Sequence, residues 1–96
     1  MRTYYRTRDG QADYGFSIER QRDSSYRVYI ESMPGYGSRN TGVHVTHRLS
    51  DGGRNYICWS ESLGSEQAAK QVAARWADMT QEYIRTGRTL DQQARR

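Results

Sequence analysis

Two histidines and the single cysteine are the residues whose chemistry first suggests a metal site. His44 and His47 are three positions apart, and successive side chains of a strand point to opposite faces. We therefore expect the two imidazoles on opposite faces, where they cannot chelate one ion. His44 with Cys58 gives only two ligands, whereas a structural zinc site needs four. The pattern predicts that the protein binds no metal.

Catalytic and cofactor motifs are incomplete. A cysteine nucleophile needs an activating base and a third group that orients this base, and no local motif around Cys58 supplies them. Gly35-Tyr36-Gly37 begins like a dinucleotide-binding fingerprint, but Asn40 stands where the third glycine belongs. No lysine follows to make a phosphate-binding loop. We expect a protein that is not an enzyme and holds no cofactor.

The interleaving of arginine and tyrosine is the feature of the chain that most clearly indicates a binding surface. There are 14 Arg and one Lys against 11 acids, and the net charge is +4. A guanidinium binds phosphate or carboxylate through two parallel hydrogen bonds, and a tyrosine ring can stack on a base. The candidate binding residues lie on one predicted sheet face or in the loop beside it: Arg27, Tyr29, Arg39, His44, Arg48, Arg54 and Tyr56.

Length and composition bound the kind of protein that can carry these residues. A chain of 96 residues has room for one domain. No apolar run approaches the roughly 20 residues of a membrane span, and MRTYYRTRDG lacks the apolar segment of a secretory signal. One cysteine cannot form an internal disulfide and fits a reducing compartment. We expect a cytoplasmic protein that does not contact membranes.

Alternation of apolar and polar residues predicts four strands before residue 60, and residues 2–8 can add a fifth. Asp51-Gly52-Gly53 is a hairpin signal between the last two strands. The glycine-rich stretch from Met33 to Gly42 is a long loop, either functional or a plain connector. The strand residues predicted to face the core are Tyr14, Phe16, Ile18, Tyr26, Val28, Ile30, Val43, Val45, Ile57 and Trp59.

Spacings of three and four predict one amphipathic helix after Gly64. Ser65 is a typical N-cap and Gly87 a typical left-handed end. The apolar stripe carries Val72, Trp76, Tyr83 and Ile84. The sequence therefore predicts an α+β fold, with an antiparallel meander of four or five strands covered on one face by a single C-terminal helix. Residues 1–90 form this domain, and residues 91–96 form a disordered basic tail.

The second face of the sheet stays uncovered, because one helix covers only one face. By alternation this face carries the arginines and tyrosines together with three acids, Asp13, Glu19 and Glu31. The leading interpretation is nucleic-acid binding, with Arg27, Arg48 and Arg54 on phosphate, Arg39 helping from the loop, and Tyr29 and Tyr56 on sugar or base.

Three other uses of this face remain open. It can bind a protein partner, as an inhibitor or accessory domain of a mobile genetic element would. It can be an ordinary solvated face held by cross-strand pairs. Because the aliphatic core is thin, it can also pack on its own copy and form a homodimer through Tyr29 and Tyr56.

In element order, the stretch from Tyr26 to Gly87 resembles the arm-binding domains of phage-type integrases and the plant AP2 domain. In those domains one helix follows and packs on an antiparallel sheet, and the sheet lies in the DNA major groove. The resemblance implies DNA as a ligand. It concerns the order of elements only and carries over no individual residue, and the loop from Met33 to Gly42 is longer than a tight hairpin there requires.

Overall fold

A long helix packs on one face of a five-stranded antiparallel sheet in the computed structural model, which describes residues 1–94. The strands are β1 (Arg2–Arg6), β2 (Asp13–Arg20), β3 (Tyr26–Ser32), β4 (Arg48–Asp51) and β5 (Arg54–Ile57). The helices are α1 (Val43–Thr46), α2 (Glu66–Thr86) and α3 (Leu90–Ala94). The predicted fold class is confirmed, and the N-terminal segment supplies the fifth strand.

The strand order is β1-β2-β3-β5-β4, so the predicted meander holds only for the first three strands. β5 lies between β3 and β4 and is antiparallel to both, which makes β3 and β4 parallel to each other. Parallel strands need a crossover of about a dozen residues or more. The glycine-rich stretch belongs to this crossover, which explains why it is longer than a hairpin loop.

The predicted third strand is wrong over Val43–Thr46, which forms the single helical turn α1. The amides of Val45 and Thr46 donate to the carbonyl of Gly42 at 3.1 and 3.0 Å, and the turn ends at His47 with a φ of 54°. A pattern of four alternating residues fits a strand and a helical turn equally well, so it does not distinguish between them. His44 therefore lies outside the sheet, and the strand itself starts at Arg48.

One hydrophobic core lies between the sheet and α2. Trp76 is fully buried at its centre, and its ring meets the rings of Tyr14 and Phe16 edge to face at 6.1 and 6.3 Å. Aromatic pairs in this geometry add to the energy of burial. Its indole N–H donates to the carbonyl of Thr46 at 3.0 Å, so this large side chain fixes the turn α1 against the helix.

The predicted core is confirmed with two exceptions. Ile57 is buried and Tyr56 points to the opposite face, as the alternation predicts. Val43 is 49% exposed because it lies on α1, and Trp59 is 37% exposed because β5 ends at Ile57. Tyr26, Ile30, Val45 and Ile84 are partly buried against the core.

Both predicted ends of α2 are confirmed. The Ser65 side chain accepts from the amide of Ala68 at 3.1 Å. Gly87 has a φ of 81°, and its amide donates to the carbonyl of Tyr83 at 2.8 Å. The long helix thus begins and ends at capping residues, each of which bonds one of its terminal backbone groups.

The crossover loop is tied to the C-terminal end of α2. Arg39 donates to the carbonyls of Ile84 and Arg85, each at 3.3 Å, and the Tyr83 hydroxyl donates to the carbonyl of Asn40 at 2.8 Å. A cation at this end of a helix is favoured by the helix dipole. The position of Arg39 therefore gives it a structural role as a cap.

The residues between Gly87 and Ala94 include the short helix α3. Leu90 is buried and begins α3, and a carboxylate oxygen of Asp91 lies 2.8 Å from Nε2 of His47. Residues 95 and 96 of the predicted tail lie outside the described residues. Within residues 1–94, no helix combines the length and apolar character that crossing a membrane requires.

Candidate functional site

Two tyrosines lie side by side at the centre of the open sheet face. Tyr29 of β3 is directly opposite Tyr56 of β5, and their rings meet edge to face with centroids 5.9 Å apart. The guanidinium carbon of Arg27 lies 4.1 Å from the centre of the Tyr56 ring, and that of Arg54 lies 3.7 Å from the centre of the Tyr29 ring. Each arginine thus covers the tyrosine of the other strand, and we call these four residues the crossed-arginine cluster.

Carboxylates hold the far end of each arginine in the cluster. Arg27 donates to Asp51 of β4 at 2.9 Å, and Arg54 donates to Glu19 of β2 at 2.6 Å and approaches Glu31 at 3.4 Å. The hydrogen bond from Arg54, helped by one from a serine hydroxyl, lowers the pKa of Glu19. The cations at the centre of the face are therefore already paired.

The cluster also shields its own rings. Tyr29 is only 7% exposed although it points away from α2, because the two arginines lie over it. Arg27 also donates to the Tyr29 hydroxyl at 3.2 Å, which together with Asp51 raises the pKa of Arg27. A base could stack on these tyrosines only after the arginines had moved and left their carboxylates.

The other three candidate residues lie away from this cluster. Arg48 is opposite Ile57 in the sheet register, so it lies on the side of α2, where its guanidinium carbon is 4.8 Å from the centre of the Tyr36 ring. The expectation that Arg48 shares the open face is wrong, because Val43 and Val45, whose alternation set the predicted face, lie in the helical turn α1 and not in β4. Arg39 caps α2, and His44 is exposed on α1.

An exposed aromatic residue on β1 was missed by the sequence-based prediction. Tyr4 is 73% exposed and lies opposite Gly15. A Cβ at Gly15 would stand 3.0 Å from the Tyr4 ring, so the absence of a side chain there gives the ring its place on the sheet. Arg2 and Arg6 flank Tyr4 on the same face, and we call these three residues the β1 stripe.

The signal for the β1 stripe is present in the sequence. Arginine, tyrosine and arginine occupy alternate positions in RTYYR, which places them on one face of a strand. Tyr5 points the other way, and its hydroxyl donates to Asp78 of α2 at 2.7 Å.

Charge is segregated across the open face. On the β1 side, Arg2 and Arg6 are accompanied by one acid, Asp13, which binds Arg6 at 2.9 Å. On the other side, three carboxylates accompany the two arginines of the crossed-arginine cluster. Arg2 has no ion pair within residues 1–94. The β1 side is therefore the electropositive side of a face that carries equal numbers of arginines and acids.

The described part of the chain brings no three His, Cys, Asp or Glu side chains together in a geometry that could hold a metal ion. The site is thus a surface of arginine, tyrosine and carboxylate. No family model, curated protein or solved structure matches this chain, so its function is inferred from this geometry.

Proposed function

We propose that the protein is a small binding module that holds single-stranded nucleic acid along the β1 stripe. The observation that carries the proposal is the exposure of Tyr4 between two arginines on the electropositive side of the sheet. An exposed ring flanked by cations offers a stacking surface for a base and counter-charges for the phosphates on either side of it.

The dimensions of the β1 stripe suit this ligand. Arg2 and Arg6 are four residues apart, which is about 13 Å along a strand. Arginines at this backbone separation have side chains long enough to reach phosphates on both sides of a base that stacks on Tyr4. The bases of a duplex are already stacked on each other, so a ring exposed on a sheet favours an unpaired strand.

The crossed-arginine cluster supports the proposal by contrast. Its arginines are held by carboxylates and its tyrosines are covered. Moving Arg27 or Arg54 to a phosphate would break these pairs and uncover the rings of Tyr29 and Tyr56. On the β1 stripe, Arg2 makes no ion pair within residues 1–94, and the pair of Arg6 with Asp13 is exposed to solvent. The nucleic-acid function expected from the sequence is therefore proposed for a different strand from the one first considered.

The test compares a labelled 20-nucleotide single strand with its duplex by fluorescence anisotropy at several salt concentrations. Tyr4→Ala should weaken single-strand binding about tenfold, since stacking on one base contributes about 1–3 kcal/mol. Arg2→Gln with Arg6→Gln should reduce the slope of log affinity against log salt by about 1.4, given about 0.7 per phosphate contact on a single strand.

Two sets of controls separate the β1 stripe from general charge. Lys70→Gln with Arg88→Gln removes the same charge from exposed positions outside the sheet and should leave the salt slope nearly unchanged. Arg54→Gln changes the crossed-arginine cluster and should not weaken binding as the β1 variants do. Loss of binding in Arg54→Gln but not in Tyr4→Ala would move the site back to the centre of the face.

Two further outcomes contradict the proposal. Duplex binding that equals or exceeds single-strand binding would show that Tyr4 contributes no stacking. No retention of the protein on DNA or heparin at low salt would reject nucleic acid altogether and favour a protein partner for the open face.

A further inference from the structure

A cavity of about 260 Å³ lies where the chain leaves β5, between α2 and α3. Its apolar walls are formed by Trp59, Trp76, Met79 and Leu90. Apolar cavities of about 150 Å³ accept benzene, so this one has room for an aromatic ring with a short side group. It lies among the loop and helix residues at the end of β5 and includes no residue of the β1 stripe.

Polar groups line the same cavity and can fix the orientation of a bound ligand. Nε2 of His47 lies 2.8 Å from a carboxylate oxygen of Asp91, so these two side chains are hydrogen-bonded to each other. Arg75 is exposed, lines the cavity and makes no ion pair with another residue of the range 1–94. A few convergent polar groups on an apolar pocket fix the orientation of a small ligand. Here the charged group that has no ion pair within residues 1–94 is the guanidinium of Arg75.

We propose that this cavity binds a small aromatic carboxylate, with the ring against the apolar walls and the carboxylate on Arg75. A guanidinium pairs with a carboxylate through two parallel hydrogen bonds. The site is independent of nucleic-acid binding, and each can exist without the other.

The chain carries its own reporters for this cavity. Both tryptophans and the only cysteine of the sequence line it, and Cys58 is a half-buried free thiol. A ligand that fills the cavity should therefore slow the alkylation of this thiol and change the emission of Trp59, the more exposed of the two indole rings.

The experiment uses cinnamate, cinnamyl alcohol and cinnamylammonium, which share one skeleton and differ in charge. Binding is measured by calorimetry, and the rate of Cys58 alkylation by iodoacetamide is followed by mass spectrometry. Cinnamate should slow the alkylation of Cys58 and bind at least tenfold more tightly than cinnamylammonium, with the alcohol between them. Equal binding of all three probes, or none at any accessible concentration, overturns the proposal.

Three variants identify the residues involved. Arg75→Gln should remove the preference for cinnamate while the alcohol still binds, whereas Lys70→Gln removes an exposed cation of the same helix outside the cavity and should change nothing. Ala94→Phe places a ring at the cavity wall and should abolish binding of every probe. An unchanged preference in Arg75→Gln refutes the assigned role of the guanidinium, and circular dichroism verifies that each variant is folded.

Discussion

Replacement of Gly87 by alanine tests whether the crossover loop holds the end of α2. Gly87 has a φ of 81°, and a residue with a Cβ in this left-handed region is about 1–2 kcal/mol less stable. Its Cβ would also stand 2.8 Å from Nη1 of Arg39 and 3.2 Å from Cζ. The guanidinium must therefore move away from the carbonyls that it caps.

The two effects give the expected size of the change. Arg39 makes two long hydrogen bonds at the negative end of the helix dipole, which together contribute about 1 kcal/mol. Gly87→Ala should therefore lower the free energy of unfolding by about 2–3 kcal/mol. For a domain of this size each kcal/mol corresponds to about 4–8 °C in Tm, so thermal unfolding followed by circular dichroism resolves the change easily.

A double-mutant cycle separates the contact from the backbone conformation. Arg39→Ala alone should lower the free energy of unfolding by about 1 kcal/mol, and the double variant should fall short of the sum by about the same amount, because the guanidinium is lost only once. Gly64→Ala is the matched control: its φ is not positive and its Cβ would meet no atom within 4 Å. Full additivity of Arg39→Ala and Gly87→Ala would refute the capping role of the loop.

Two further predictions concern the open face. Because its pKa is lowered, the Glu19 carboxylate stabilises the fold above its unfolded pKa and loses this effect as the pH falls through its folded pKa. Arg54→Gln should raise the folded pKa of Glu19, measured by NMR titration of its carboxyl carbon. An unchanged titration contradicts the assigned pair. We also predict a homodimer in which the positive β1 side of one copy meets the negative side of the other, in competition with nucleic acid for the β1 stripe. Light scattering at micromolar concentration should give a mass above 11.2 kDa that falls on dilution, and 11.2 kDa at every concentration rejects the dimer.

The periodicity of the sequence was enough to predict the fold class and most of the core. Alternation around Phe16 and Val28 and the three-and-four spacing around Trp76 each extend over several residues, so packing and local preference agree. The turn at Val43–Thr46 was missed because its four residues satisfy a strand pattern equally well. Trp59 was misplaced because alternation does not tell where a strand ends.

The candidate site was harder to predict because alternation assigns a residue to a face but does not name its partner there. Arg27 and Arg54 are on the predicted face, yet each is long enough to cross a neighbouring tyrosine and reach a carboxylate on another strand. These ion pairs depend on which strands are neighbours in the sheet, and the crossover places β5 between β3 and β4. Arg48 lies on the other face because the helical turn at Val43–Thr46 interrupts the alternation from which its face was predicted.

The interior position of β5 has a consequence for how the chain is made. β5 follows both of its neighbours in sequence but lies between them in the sheet. During synthesis β3 therefore has only β2 as a partner until Arg54–Ile57 have left the ribosome. A chain that pauses or is cleaved within the crossover presents β3 as an unpaired edge, which is the arrangement that recruits strands from other chains. Newly made molecules are thus most exposed to aggregation just before the hairpin of β4 and β5 emerges.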